Sequence, residues 1–179
     1  MPYYPIFLDV RGQRTIVVGG GKVAERKVRK LLRAGADVRV ISPKLTPRLA
    51  QWVAEKRISV VRRRYRKGDI SAAPHRDVPL LVFAATNDPA AQRAVREDAR
   101  AAGSFVNVAS DPAQCDFLVP ASFTHGELNV AVSTSGTNPS LARGLRLRLQ
   151  RFLGEERAPA LQNRARKIKR QKSKGKSQK

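Results

Sequence analysis

A single cysteine, Cys115, among 179 residues leaves no partner for an intrachain disulfide and excludes a cysteine-built metal site. Histidine is nearly as scarce. His75 and His125 lie far apart without helical metal-ligand spacing, so both read as surface residues and no protein metal centre is expected. Long apolar runs are also missing; none approaches the ~20 residues of a bilayer-crossing helix. The start, Met1-Pro2-Tyr3-Tyr4-Pro5, lacks the basic and apolar stretches of a secretory signal. A cytoplasmic protein with no membrane contact is the expectation. Acidic residues are few, 14 Asp+Glu against 36 Lys+Arg, for a formal net charge of +22. Residues 143–179 hold 14 Lys/Arg against Glu155 and Glu156, a balance of +12, so residues 1–142 carry the other +10. Body and tail are both basic, which favours anionic partners.

Apolar residues make up 41% and charged residues 28%, which is globular composition. Strand-like runs alternate with amphipathic, helix-length segments. Residues 14–19 read as a first strand, and 22–34 as a helix with Val23, Ala24, Val28, Leu31 and Leu32 on one face. A second strand spans 37–42. Thr46-Pro47 opens a helix, with threonine as N-cap and proline at the first helical position. Short strands follow at 58–61, 79–86 and 105–109, and Asp88-Pro89 opens a helix between the last two. The run Leu80-Leu81-Val82-Phe83 is apolar throughout, as a strand buried on both faces should be. This alternation predicts an α/β fold, a parallel sheet covered on both faces. The pattern changes after Asp111-Pro112. Residues 128–133 read as a strand in a different setting. Leu141, Leu145, Leu149 and Phe152 or Leu153 then form an apolar helical stripe opposite Arg143, Arg146, Arg148 and Arg151. The expected organisation is a domain over 1–113, a short helical region over 114–160 that serves self-association, and a disordered basic tail over 161–179.

Gly19-Gly20-Gly21-Lys22-Val23-Ala24 contains G-x-G-x-x-A between the first strand and the first helix. Gly19 permits the tight turn, Gly21 lets backbone approach a pyrophosphate, and Ala24 lets helix and strand pack closely. The helix start then offers free N–H groups to the anion. In that strand–turn–helix setting the motif predicts a Rossmann-type sheet that binds a dinucleotide. A carboxylate for the ribose 2′-hydroxyl is absent from the end of the second strand, where Ile41-Ser42-Pro43-Lys44 stand. Ser42 and Lys44 suit a 2′-phosphate, or Ser42-Pro43 simply ends the strand. Ala84-Ala85-Thr86-Asn87-Asp88 ends the fourth strand and suits the nicotinamide side of the crevice, with Asp88 also placed to cap a helix. Asn107-Val108-Ala109-Ser110-Asp111-Pro112 ends the fifth. Asp111 there is either a proton acceptor or a turn residue. Cys115 reads as a small buried apolar residue. Arg62-Arg63-Arg64-Tyr65-Arg66-Lys67 is either a solvated strand end or an anion-facing patch.

These motifs together resemble the N-terminal module of siroheme synthase and the stand-alone precorrin-2 dehydrogenase/sirohydrochlorin ferrochelatase proteins. The resemblance begins at Pro5-Ile6-Phe7-Leu8 and runs through Val17-Val18-Gly19-Gly20-Gly21-Lys22-Val23-Ala24-Glu25-Arg26-Lys27. It resumes at Ala84–Asp88, at Asn107-Val108 through Cys115-Asp116-Phe117-Leu118-Val119-Pro120-Ala121, and at Val130–Arg143, where Ser133-Thr134-Ser135-Gly136-Thr137-Asn138-Pro139 lies. It implies NAD-dependent oxidation of precorrin-2 to sirohydrochlorin on the route to siroheme, with iron(II) insertion at the same site in some members. It implies a homodimer formed around residues 115–150 and NAD contacts at Lys22, Val23, Pro43 and Lys44, which join Gly19, Gly21, Thr86 and Asn87 from the motif reading as the expected cofactor contacts. It also implies tetrapyrrole contacts at Asn107, Ser110, Ser133 and Thr134.

Two departures bear on chemistry. The family's catalytic aspartate position is occupied by Ser110, with Asp111 as its neighbour, so Asp111 is the candidate base. In some members a serine is phosphorylated where Thr134 stands, beside Ser133. The C-terminal helical domain is also short, about thirty residues after Gln150, half of them basic tail. A catalytically impaired dinucleotide- or tetrapyrrole-binding protein is therefore the alternative. The tail additionally suits nonspecific polyanion contact, since it has no aromatic residue for base stacking.

Overall fold

The structure, a computed structural model, describes residues 3–70 and 78–155. His75 and the expected tail lie outside those residues. The chain divides into two compact units, one reaching to Leu118 and one starting at Val119.

The first unit is built on five parallel strands in the order β3-β2-β1-β4-β5. These are β1 (Arg14–Val18), β2 (Asp37–Ile41), β3 (Ser59–Val61), β4 (Leu81–Ala84) and β5 (Phe105–Val108). The helices are α1 (Lys22–Arg33), α2 (Pro47–Ala54) and α3 (Pro89–Ala101). Strand side chains alternate between faces, so two cores form. Val17, Val38, Val40 and Phe83 pack with Ala24, Val28 and Leu31 of α1 and with Leu49 and Trp52 of α2. Ile16, Val18, Val82 and Val106 pack on the other face with Ile70 and with Val95 and Ala99 of α3. All four residues of β4 are buried, because a central strand covered on both sides admits no polar position. The register pairs Val18 with both Ile41 and Ala84, and Ala84 with Val108. The carboxyl ends of four strands therefore meet at one edge, with the switch in strand order between β1 and β4.

The helix starts follow from side-chain chemistry. Thr46 accepts a hydrogen bond from the Leu49 amide at 3.3 Å. Asp88 accepts from Ala90 and Ala91 at 2.9 and 3.2 Å. Asp111 accepts from Ala113 at 3.0 Å and so starts a short 3-10 helix, Pro112–Gln114. Each cap is followed by a proline, which needs no amide partner in the first turn.

The second unit is an antiparallel hairpin of β6 (Ala121–His125) and β7 (Leu128–Val132) with helix α4 (Pro139–Glu155) against it. Asn138 caps α4 through the Leu141 amide at 2.9 Å. The apolar stripe of this helix, expected to serve self-association, is largely open in the single chain. Leu141, Leu145, Leu149 and Phe152 are exposed, and among the described residues of α4 only Ala142 is buried. Among the described residues no helix is long and apolar enough to cross a membrane.

Candidate functional site

The turn between β1 and α1 is shaped by two glycines that no other residue can replace. Gly19 has φ +125°, and a Cβ there would run into the Ala85 carbonyl. Gly20 lies against the β2–α2 loop, where a Cβ would collide with the Lys44 carbonyl. The Thr46 amide donates to the Gly20 carbonyl at 2.9 Å, and the Gly19 amide to Ile41 at 2.9 Å. The motif reading assigned Gly20 no role; the signal was the unbroken run of three glycines. Gly21 is different. Nothing lies within 4 Å of where its Cβ would stand, so the chain there is open to a close approach.

Gly21 is also the N-cap of α1, and it has no side chain to serve the first-turn amides. α2, α3, the 3-10 helix and α4 are each closed by their own Thr, Asp or Asn. Among the described helices α1 alone leaves its positive end to a ligand, which is the arrangement a pyrophosphate requires.

That helix end opens on a cleft of about 1090 Å³ along the carboxyl edge of the sheet. Gly19, Gly21, Lys22, Val23, Pro43, Lys44, Thr86 and Asn87, the eight positions expected to contact a nucleotide, all line it. The basic run after β3 adds Arg64, Tyr65 and Lys67 to the wall. The volume is at the upper end of ordinary ligand sites, as an extended dinucleotide demands. Uncapped amides and a glycine cradle that a Cβ would fill fit a nicotinamide dinucleotide.

The end of β5 does not line this cleft. Asp111 accepts from Ala113 and, through Oδ2, from Gln114 Nε2 at 2.7 Å. The Ser110 hydroxyl donates to Gln92 Oε1 at 2.8 Å, and Gln92 Nε2 donates to the Thr86 carbonyl at 2.6 Å. Ser110 is thereby tied to the β4 end of the cleft through one glutamine of α3.

Asn107, expected to face the substrate, is turned inward at 6% exposure. Its Oδ1 accepts from Lys27 Nζ at 2.7 Å, while Nδ2 donates to the Phe117 carbonyl at 3.0 Å and to Cys115 Sγ at 3.4 Å. With its amide engaged on both sides it clamps the loop carrying Ser110 and Asp111. Cys115 is not the apolar filler expected. Half-buried, its sulfur accepts from the Val108 amide at 3.2 Å and meets the Val108 and Asp111 carbonyls at 3.3 Å. Burial pushes its thiol pKa up.

Lys27 sits over the Phe83 ring, 4.8 Å from its centre, with Asn107 as its hydrogen-bond acceptor. Burial, reinforced by the charge of Arg26, pulls its pKa down to about 8. The folded chain thus binds fewer protons than the unfolded chain between about pH 8 and 10.5, so Lys27 makes stability rise with pH across that window. Denaturant titrations from pH 8 to 10 should show the wild type gaining on the order of 2 kcal/mol more than Lys27→Met. Parallel profiles would show that the ammonium is not desolvated.

Ser133 and Thr134 belong to the second unit. Ser133 Oγ accepts from the Ser135 amide at 3.1 Å, and Thr134 Oγ1 from the Asn138 amide at 3.0 Å. Both shape the turn into α4, where Ser135 and Gly136 have φ of 54° and 85°.

Comparison with known proteins bears out the family read from the motifs. Siroheme synthase of Nitrosococcus oceani is 42% identical over 153 residues, covering 86% of this chain and 31% of that protein. Siroheme synthase of Methylobacillus flagellatus is also 42% identical over 153 residues, with 86% and 32% covered. The chain thus spans about a third of the length of these curated relatives. Among solved structures, SirC, precorrin-2 dehydrogenase, superposes with a TM-score of 0.71 at 29% identity, covering 84% of this chain and 71% of that one. The Rossmann-type α/β fold expected from the strand–helix alternation is the fold observed. A family model described as "Putative NAD(P)-binding" matches residues 6–121. That stretch holds the glycine turn, the open end of α1 and the whole cleft, and the chain belongs to this NAD(P)-binding family.

Proposed function

We propose that the protein is a cytoplasmic homodimer that oxidises precorrin-2 to sirohydrochlorin with NAD, a step toward siroheme. The observation that carries the reading is the uncapped start of α1 opening on a glycine-walled cleft, in a chain similar to siroheme synthases and to a precorrin-2 dehydrogenase. When bound, NAD supplies the hydride acceptor. The amides of Lys22 and Val23 hold the pyrophosphate, and Gly21 gives it room. Pro43 and Lys44 border the adenosine half. Thr86 and Asn87 border the nicotinamide half, across the switch between β1 and β4. Asp111 accepts the proton lost from the substrate, on a loop that Asn107, Lys27 and Cys115 hold in place. Ser110, Ser133 and Thr134 contact the tetrapyrrole. The substrate is a polycarboxylate, and the basic body raises its local concentration. Iron(II) is a second substrate, inserted into the product with the macrocycle as its ligand. The exposed leucines and phenylalanine of α4 support the homodimer, since pairing covers apolar surface that a lone chain leaves in water.

The test is incubation with precorrin-2 and NAD, following sirohydrochlorin by absorbance and then adding iron(II), with the same preparation sedimented for its mass. Sirohydrochlorin formation by a species of twice the chain mass is the expected result. The second reading, a binding protein without chemistry, is favoured by Ser110 at the family's aspartate position and by the capping bonds of Asp111. NAD binding without turnover would establish it over the first.

A further inference from the structure

We propose that Gln92 of α3 is a positioning residue for the reaction: it fixes the border of the nicotinamide half at Thr86 relative to the proton-accepting turn at Ser110 and Asp111. The inference rests on the dehydrogenase reading above and adds a residue to it. The backbone pairing of β4 with β5 is carried past the strand ends by the Ala109 amide, which donates to the Ala84 carbonyl at 3.0 Å. Beyond that bond the bridge is a side chain. Gln92 Nε2 donates to the Thr86 carbonyl at 2.6 Å, and Gln92 Oε1 accepts from the Ser110 hydroxyl at 2.8 Å. The base of that side chain is itself held. Its backbone amide donates to the Asp88 carbonyl at 3.0 Å, in the turn that the Asp88 carboxylate caps. Gln92 is half-buried, and α3 meets the cleft through Ala90, Ala91 and Ala94 instead. It therefore acts through its two neighbours rather than on a ligand.

The bridge needs a donor at one end and an acceptor at the other. A primary amide offers both, whereas an ionised carboxylate offers acceptors alone. The reaction needs the bridge because two hydrogens leave the substrate, one as a hydride to NAD and one as a proton to Asp111. Both acceptors must be in place in the same complex, and a misplacement of about 1 Å costs on the order of a hundredfold in rate. The far limb of the turn is fixed without Gln92. Asp116 accepts from Arg100 of α3 at 2.8 Å and from the Val106 amide at 2.9 Å, and Asp111 starts the 3-10 helix. Replacing Gln92 thus leaves this loop folded and releases its link to Thr86.

The experiment compares the full chain with Gln92→Met and Gln92→Glu, by steady-state assay with precorrin-2 and NAD and by calorimetric titration with NAD. Gln92→Met removes both bonds. It should lower kcat by about 10- to 100-fold and raise Kd and KM for NAD by about tenfold. Gln92→Glu sets a charged acceptor against the Thr86 carbonyl at neutral pH and should weaken NAD binding by a similar factor. A protonated glutamate has the donor and acceptor of the amide. Its Kd for NAD relative to wild type should therefore recover as pH falls toward the ordinary glutamate value of about 4.3. A side chain that served folding alone would shift the melting temperature and leave kcat, KM and this pH profile where they were. Unchanged kcat and NAD affinity in both variants, or no recovery of Gln92→Glu on acidification, would overturn the proposal with the dehydrogenase reading intact. A wild type that binds NAD without turnover would overturn the dehydrogenase reading and with it the role of Gln92 in the reaction, whatever the Kd values of the variants.

Discussion

Gly21→Asp should abolish NAD binding and leave the protein as stable as before, or more so. The residue has φ −87° and ψ −171°, extended backbone open to any side chain, and nothing lies within 4 Å of its Cβ position. Aspartate at an N-cap accepts bonds from first-turn amides, as Asp88 does for α3. The substitution would close the one open helix among those described, a change worth roughly a few tenths of a kcal/mol in favour of the fold. The same bonds occupy the donors a pyrophosphate needs, and the new carboxylate faces its negative charge. Two like charges 4 Å apart in a partly screened site repel by about 4 kcal/mol, close to a thousandfold in Kd. Calorimetry and thermal melts on one preparation separate the two effects. Unchanged NAD affinity would sink the reading of this turn as a phosphate cradle. Gly20→Ala is the contrasting control: its Cβ meets the Lys44 backbone, so it should cost stability before it costs affinity.

That contrast marks what a residue string can convey. The strands of the sheet were legible because a central parallel strand is apolar on both faces, and Leu81–Ala84 leaves no other setting for such a run. Helix starts were legible as Thr46-Pro47 and Asp88-Pro89, where a cap and a proline fix the local geometry alone. β6 was not foreseen, because Ala121–His125 carries two apolar residues in five and is held by its pairing with β7. The need for glycine at position 20 depends on the Lys44 carbonyl, brought there by a separate loop. Asn107 was read from the resemblance as a tetrapyrrole contact at the end of the fifth strand. Its burial depends on Lys27, Cys115 and Phe117 converging from elsewhere in the chain. The basic run after β3 was ambiguous for the same reason: the loop that carries it is held through Tyr65 and Gly68 by Asp98, thirty residues away from Gly68.

Asp111→Asn should lower turnover by roughly 10²–10⁴-fold, the usual loss on removing a general base. The variant is chosen for its structural economy. An asparagine oxygen still accepts from Ala113, so the start of the 3-10 helix survives, and only the bond from Gln114 must rearrange. NAD affinity should stay within about twofold, since the pyrophosphate donors lie on another loop. Ser110→Asp is the converse test, and the structure predicts a cost with it. A carboxylate at 110 would face Gln92 Oε1, so the Gln92 amide must turn its nitrogen toward it. That turn removes the donor from the Thr86 carbonyl beside the cleft. Any gain in turnover should therefore come with a weaker hold on the nicotinamide half, read as a raised KM for NAD. If the wild type is inactive and Ser110→Asp turns over, position 110 is the site of proton transfer, Asp111 is a helix cap, and the natural chain is a binding protein. If the wild type turns over and Asp111→Asn does not, with NAD affinity retained in both, the base has moved one residue along the turn.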